Sequence, residues 1–284
     1  MKYSSVDAIV MDMDGVLWRG NEPLPAMVEM FDWLRETDTP FALATNNSSR
    51  TQADYVAKLT KLGVDWVTED RIVTSSTATA AYLQQDYPAG TPVYVFGMAG
   101  LKHILDEAGF DVSEADHVVP EAVVAGIDFE LTYERLKQAT LYIRGGAAFI
   151  GTNPDKTFPS PAGLVPGAGS MIAALEAATD QKATIIGKPS SPMFKTALQV
   201  TGTAPDRTLM IGDRLNTDIE GAQALGMQTA LVFTGVTTSA DLSSAENTIW
   251  PDVAYEGLPE LLKAWAGFEW YNAKIKAKRK QGKG

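Results

Sequence analysis

The chain has no cysteine and only two histidines, His103 and His117. Without cysteine there is no disulfide, no thiol nucleophile and no thiolate zinc site, although the redox compartment stays open. Two histidines are too few for the usual histidine-rich zinc centre, and both stand far in sequence from the acidic motif described below. Any metal should therefore be held by oxygen, which favours a hard cation. Basic residues are also scarce: 24 Lys and Arg stand against 35 Asp and Glu, for a formal net charge of -11. Affinity for a phosphate backbone comes largely from basic side chains that release counterions, so a nucleic acid polymer is not an expected partner. No apolar run approaches the roughly 18 residues that cross a bilayer. Asp7 also interrupts the N-terminal segment that would otherwise pass for a secretory core. A soluble, cytoplasmic protein with no membrane partner is the expectation.

What is present is ample apolar material, 45% of 284 residues, enough to bury the core of one large or two ordinary domains. Its most informative use is Ala8-Ile9-Val10-Met11, a short run that ends in Asp12-Met13-Asp14-Gly15. A buried strand delivering two carboxylates to its carboxyl end suits both Mg2+ and a carboxylate nucleophile. Taken alone, the same four residues equally suit an Asp-Gly turn. A calcium loop does not fit, because Val16-Leu17-Trp18 follow where further oxygen ligands and a closing Glu are needed.

Periodicity along the chain predicts a βαβ start: a helix from about Ala26 to Glu36, then the apolar run Phe41-Ala42-Leu43-Ala44 ending at Thr45. A helix around Gln52 to Leu62 leads to a short strand near Ile72-Val73, and a further helix covers Ala78 to Leu83. Beyond Pro88-Ala89-Gly90 a fresh alternation opens with Pro92 to Gly97. Strand-like runs are expected at Val118-Val119, Val123-Val124-Ala125 and Ala147 to Ile150, with a helix over Tyr133 to Leu141. Ser170 to Ala178 reads as a helix started by Gly169-Ser170, and Thr184 to Gly187 as a strand. Thr208 to Ile211, a helix from about Thr217 to Leu225, and Thr229 to Phe233 repeat the alternation. The expected organisation is a core in two parts, residues 1–78 and 185–270, a second α/β domain over 79–184, and a basic tail over 271–284. That tail carries Lys274, Lys276, Lys278, Arg279, Lys280 and Lys283 and reads as a solvated terminus or an anion or partner contact.

Four apolar runs end in polar residues whose chemistry is complementary. These are Asp12 and Asp14, Thr45 with Asn46 and Asn47, Lys188 after Gly187, and Asp213 after Gly212. In an open parallel sheet the carboxyl ends of strands share one rim, so residues far apart in sequence can converge. Three carboxylates, a hydroxyl and an ammonium describe a site for a phosphoryl group with Mg2+. Two glycine-rich stretches do not compete with this reading. Pro166-Gly167-Ala168-Gly169-Ser170 lacks the dinucleotide fingerprint and the P-loop ending, and Pro189 follows the lysine of Gly187-Lys188 where a P-loop needs Ser or Thr.

In order along the chain, Asp12-Met13-Asp14-Gly15, Thr45, Lys188 and Gly212-Asp213-Arg214-Leu215-Asn216-Thr217-Asp218 resemble the four motifs of the haloacid dehalogenase (HAD) superfamily of phosphatases. About 30 residues separate the first motif from the second and about 140 the second from the third, so an inserted cap must lie in the second gap. With Thr45-Asn46-Asn47-Ser48 and Gly151-Thr152-Asn153-Pro154-Asp155, the pattern is similar to the NagD-like or p-nitrophenylphosphatase-like branch. The resemblance implies an α/β fold: a Rossmann-like doubly wound parallel sheet core with a smaller inserted α/β cap.

It also implies roles. Asp12 would be the nucleophile that becomes an aspartyl phosphate, and Asp14 the general acid and base. Mg2+ would be held by Asp12, the backbone carbonyl of Asp14, and Asp213. Thr45, Lys188 and the backbone N–H of Asn46 would bind the transferring phosphoryl group. Asp218 would support Lys188 or the metal waters, unless it only complements the start of the following helix. Asn153 and Asp155 are either substrate selectors or an ordinary turn. Trp18 would pack in a core or interface, or gate the pocket. The expected activity is hydrolysis of a small phosphorylated metabolite such as a sugar phosphate or nucleoside monophosphate. A phosphotransferase using the same intermediate and a non-catalytic receiver-like module are the alternatives, and a homodimer through the cap is expected.

Overall fold

The computed structural model describes residues 6–113, 118–160, 163–267 and 270–272. His117 and the basic positions from Lys274 onward lie outside them. In chain order come β1 (Ala8–Met11), β2 (Trp18–Arg19), β3 (Glu22–Pro23), α1 (Met27–Glu36), β4 (Phe41–Thr45), α2 (Gln52–Lys61), β5 (Ile72–Thr74) and α3 (Ser75–Leu83). Next are β6 (Val93–Phe96), α4 (Ala99–Glu107), β7 (Ala122–Ala125), α5 (Tyr133–Arg144), β8 (Ala148–Gly151), β9 (Thr157–Ser160), β10 (Gly163–Pro166) and α6 (Ala168–Thr179). The chain continues through β11 (Thr184–Ile185), α7 (Ser191–Thr201), β12 (Thr208–Gly212), α8 (Glu220–Ala224), β13 (Gln228–Val232), α9 (Ser239–Leu242), β14 (Val253–Tyr255) and α10 (Leu258–Trp265). This is an α/β fold: its two larger sheets are parallel and flanked by helices, and β2–β3 and β9–β10 are antiparallel pairs. No helix among the described residues is long and apolar enough to cross a membrane.

The described residues fall into two compact units, one within Met1–Ala44, Val56–Ile72 and Ala197–Gly284, the other within Thr45–Tyr55 and Val73–Thr196. The first is built on strands ordered β14-β13-β12-β1-β4, with β5 entering the edge at Ile72. Strand β1 is central. It pairs in parallel with β12 on one side, Ala8 opposite Thr208 through Met11 opposite Ile211, and with β4 on the other, Ile9 opposite Phe41. All four of its residues are fully buried, which is why it reads as a continuous apolar run rather than an alternating one. Helix α1 turns Met27, Met30, Phe31 and Leu34 inward at helical spacing, and Phe31, Phe41 and Trp66 meet edge to face.

The second unit carries a parallel sheet ordered β11-β8-β7-β6. Tyr94, Phe96, Val123 and Phe149 from its strands pack with Ala139 and Ile143 of α5 and with Ile172 and Leu175 of α6. Helix α3 begins one turn earlier than its apolar residues suggest because Thr74 and Thr77 cap it reciprocally. Val118 and Val119, expected as a strand, form none: both are exposed, and Pro120 follows without a backbone donor for a ladder. Strand β11 is shorter than the run Thr184 to Gly187. Helix α6 starts at Ala168 rather than Ser170, whose hydroxyl donates to Lys156 O instead of capping. Its glycines have a packing reason. A Cβ on Gly167 would stand 2.4 Å from Asp155 O, and one on Gly169 2.3 Å from Pro154 O.

Candidate active site

Strands β1 and β12 are neighbours and end at the same level, so the residues that follow them are delivered side by side. Asp12 N still donates to Ile211 O, at 2.9 Å, which carries the ladder one step past β1. Asp213 follows Gly212 directly, and the chain then makes a wide π turn over Leu215–Ile219 in which Arg214 O accepts from both Asp218 N and Ile219 N. That turn, expected as the first part of a regular helix, brings Asp218 back toward the strand ends. Asp12, Asp213 and Asp218 are all buried, and each offers a carboxylate oxygen within 4.8 Å of the others.

The loop after β13 closes around Asp213. Val236 N donates to Asp213 Oδ2 at 2.7 Å, Thr237 N to Asp213 O, and Thr234 Oγ1 to Gly15 O at 2.6 Å. Two glycines make room: a Cβ on Gly235 would fall 1.9 Å from Asp213 Oδ2, and one on Gly15, where φ is +91°, 2.6 Å from the same atom. Asp218 Oδ2 accepts from Arg214 N at 3.1 Å. Sequence reasoning missed Thr234, Gly235 and Val236. Their signal was the same one used elsewhere, a polar and glycine pair just past an apolar strand.

Like charges this close repel by about 3 kcal/mol per ionised pair at an effective dielectric near 20, a sum comparable with the stability of a whole domain. Two backbone hydrogen bonds offset part of that, and a divalent cation would convert the repulsion into attraction. The donor set is oxygen only, as Mg2+ or Ca2+ prefers. The structure therefore fits an oxygen-bound divalent metal on Asp12, Asp213 and Asp218.

Asp14 stands apart from this trio. It is exposed, and Trp18 Nε1 donates to its Oδ1 at 2.9 Å. Trp18 itself is fully buried at the start of the β2–β3 hairpin, with the Lys58 ammonium 3.9 Å from its ring centroid. Core packing and a polar contact thus coincide in one side chain. Two carboxylates one residue apart consequently have different surroundings, one buried among acids and one at the surface on an indole N–H.

The second unit gathers another set. Thr45 ends β4, and its Oγ1 accepts from Asn47 N. Asn46 Oδ1 accepts from Lys188 N at 2.7 Å, while its Nδ2 donates to Lys188 O at 3.0 Å and Asp155 Oδ2 at 3.1 Å. Asn153 Nδ2 and Ser75 Oγ both donate to Asn46 O at 2.7 Å, and Asp155 N donates to Asn153 Oδ1. Asn46, Asn153, Asp155 and Lys188 are thus one hydrogen-bonded group, with Lys188 and Asn153 buried.

Comparison with known proteins gives the family. Residues 9–111 match a haloacid dehalogenase-like hydrolase model, and residues 185–261 a second HAD-hydrolase-like model. The chain is 36% identical to an acid sugar phosphatase of Staphylococcus epidermidis, covering 84% of this chain and 91% of that one. Among solved structures it is similar to a 4-nitrophenylphosphatase from Thermotoga maritima, with TM-score 0.86, 37% identity, and coverage of 93% and 98% of the two chains. NagD from E. coli K-12 superposes with TM-score 0.81 at 29% identity, over 89% and 97% of the chains. A glycerol phosphate phosphatase from Mycobacterium tuberculosis, solved with magnesium, gives TM-score 0.83 at 32% identity over 91% and 77%. With two family models matching it and these relatives spanning nearly its whole length, the chain belongs to the haloacid dehalogenase superfamily and is a NagD-like phosphatase.

Proposed function

We propose that the chain is a Mg2+-dependent phosphomonoester hydrolase that works through an aspartyl phosphate on Asp12. The observation that carries this is the contrast between Asp12, buried with Asp213 and Asp218, and Asp14, exposed on the indole N–H of Trp18. Two carboxylates in such different settings suit two roles. An Asp12 carboxylate oxygen attacks phosphorus, and the ester P–O bond breaks. Asp14 gives its proton to the leaving alkoxide, then takes one from the water that attacks the phosphoenzyme and frees inorganic phosphate and Asp12. Bound Mg2+ would neutralise the phosphoryl oxygens and the carboxylates that hold it, Asp12, Asp213 and Asp218, with the Asp14 carbonyl as a further ligand. Thr45, the Asn46 backbone N–H and Lys188 bind the transferring group in this reading, which rests on the family motifs.

Names of relatives support a sugar or polyol phosphate as the substrate class. The test is phosphate release from a panel of sugar, polyol and nucleoside monophosphates with Mg2+ and with a chelator. Release that requires the metal and favours sugar or polyol esters is the expected result; release unaffected by chelation would overturn the metal's role.

A further inference from the structure

Asn46 is engaged at both ends of its side-chain amide and at its carbonyl, and its partners dictate how the amide is oriented. Two acceptors, Lys188 O and Asp155 Oδ2, face its Nδ2, and one donor, Lys188 N, faces its Oδ1. Exchanging the two ends would break all three bonds, so both amide protons are used and each has one acceptor. The paired bonds to Lys188 N and O hold that residue's backbone as a strand neighbour would, across 142 positions of sequence. Gly187 allows this approach, since a Cβ there would stand 2.7 Å from Asn46 Oδ1 and 2.6 Å from Thr152 O.

The partners of Asn46 are themselves fixed. Its carbonyl accepts from Asn153 Nδ2 and Ser75 Oγ, and Asn153 Oδ1 accepts from Asp155 N. The backbone of Asp155 is held from its other side, where Gly169 N donates to Asp155 O and Gly167 N to Lys156 O. Asn153 is 4% exposed, and both ends of its amide are engaged within the protein.

We infer that Asn46, Asn153 and Asp155 are positioning residues: their side-chain amide and carboxylate network fixes the backbone of Lys188, and with it the direction from which the ammonium meets the phosphoryl group. This rests on Lys188 binding that group, as proposed above. The Asn-Pro-Asp loop then serves catalysis through the lysine.

The test is a double-mutant cycle on kcat and KM with p-nitrophenyl phosphate, using Asn46→Ala, Lys188→Ala and both together, with thermal melting of each. Asn153→Ala, which spares the Asn46 amide but removes one of the two donors to its carbonyl, runs beside it in case Asn46→Ala melts early. Misplacing a catalytic group by about 1 Å costs on the order of a hundredfold. Asn46→Ala is expected to lower kcat roughly tenfold to a hundredfold, and to have less than about a threefold effect in the Lys188→Ala background, because the group it positions is gone. The exchange Asn46→Asp with Asp155→Asn, which trades donor for acceptor, should recover part of the loss seen with Asn46→Asp alone. Equal losses in both backgrounds, or none in either, would overturn the inference while leaving the site reading intact. Full activity in Lys188→Ala would overturn the role of the lysine itself.

Discussion

At the scale of single residues, the chemistry depends on side chains whose neighbours give each of them a distinct role. Trp18 fills the core beneath the hairpin and aims its N–H at Asp14. Trp18→Phe keeps the ring and removes the donor, so the Asp14 carboxylate loses the contact that orients it. The expected loss in kcat/KM, which reports the steps up to release of the leaving group, is about tenfold for alkyl phosphates, whose alkoxide needs a proton, and clearly less for p-nitrophenyl phosphate, whose leaving group does not. Parallel assays of the two esters check this, and equal losses would mean that the indole supports packing alone. Which residues were legible in the sequence follows from range. Asp12, Asp14, Thr45, Lys188 and Asp213 could be picked out as candidates because each stands at or just past an apolar run. The contact of Trp18 with Asp14 and the bracket of Asn46 on Lys188 could not, because hydrogen bonds of that kind exist only after the chain has folded. Asp218 was legible as a support for Lys188 or the metal waters, or as an acid at a helix start; the π turn adds that its carboxylate lies beside those of Asp12 and Asp213.

Among the elements, β1 and β12 do the positioning, and their amino ends are tied as firmly as their carboxyl ends are functional. Asp7 and Arg207 form a two-bond ion pair just before the two strands, Arg207 Nε at 2.7 Å and Nη2 at 2.6 Å from the carboxylate oxygens. The hydrogen bonds to Arg207, and then its charge, hold the Asp7 carboxyl below its ordinary value. A depressed folded pKa stabilises the fold above the ordinary carboxylate range, and that contribution disappears as pH falls through the lowered value. Asp7→Asn should therefore shift the urea midpoint downward at pH 6, by a small amount since the pair is solvent-exposed, and the difference from wild type should vanish in strong acid. A difference that persists there would assign the effect to something other than the ion pair. The four-residue buried strands were readable because an apolar run between turn residues has few other uses. The two-residue strands of the β2–β3 hairpin carry no such run, and Val118-Val119 had β-branched residues without burial.

For the whole molecule, an acidic chain handles an anionic ester through local charge rather than overall charge. One compact unit holds the acidic trio and Asp14, and the other the hydrogen-bonded group around Lys188. The central claim is that Asp12 is phosphorylated while Asp14 moves protons. Asp14→Asn separates the two steps with p-nitrophenyl phosphate, because its leaving group departs without an acid whereas the attacking water still needs a base. The most direct measurement is rapid acid quenching of that variant followed by mass mapping of its peptides. Accumulation of one phosphoryl group on Asp12, with slowed phosphate release, is the predicted result. Undiminished turnover in Asp14→Asn, with no phosphorylated peptide at any quench time, would contradict the account.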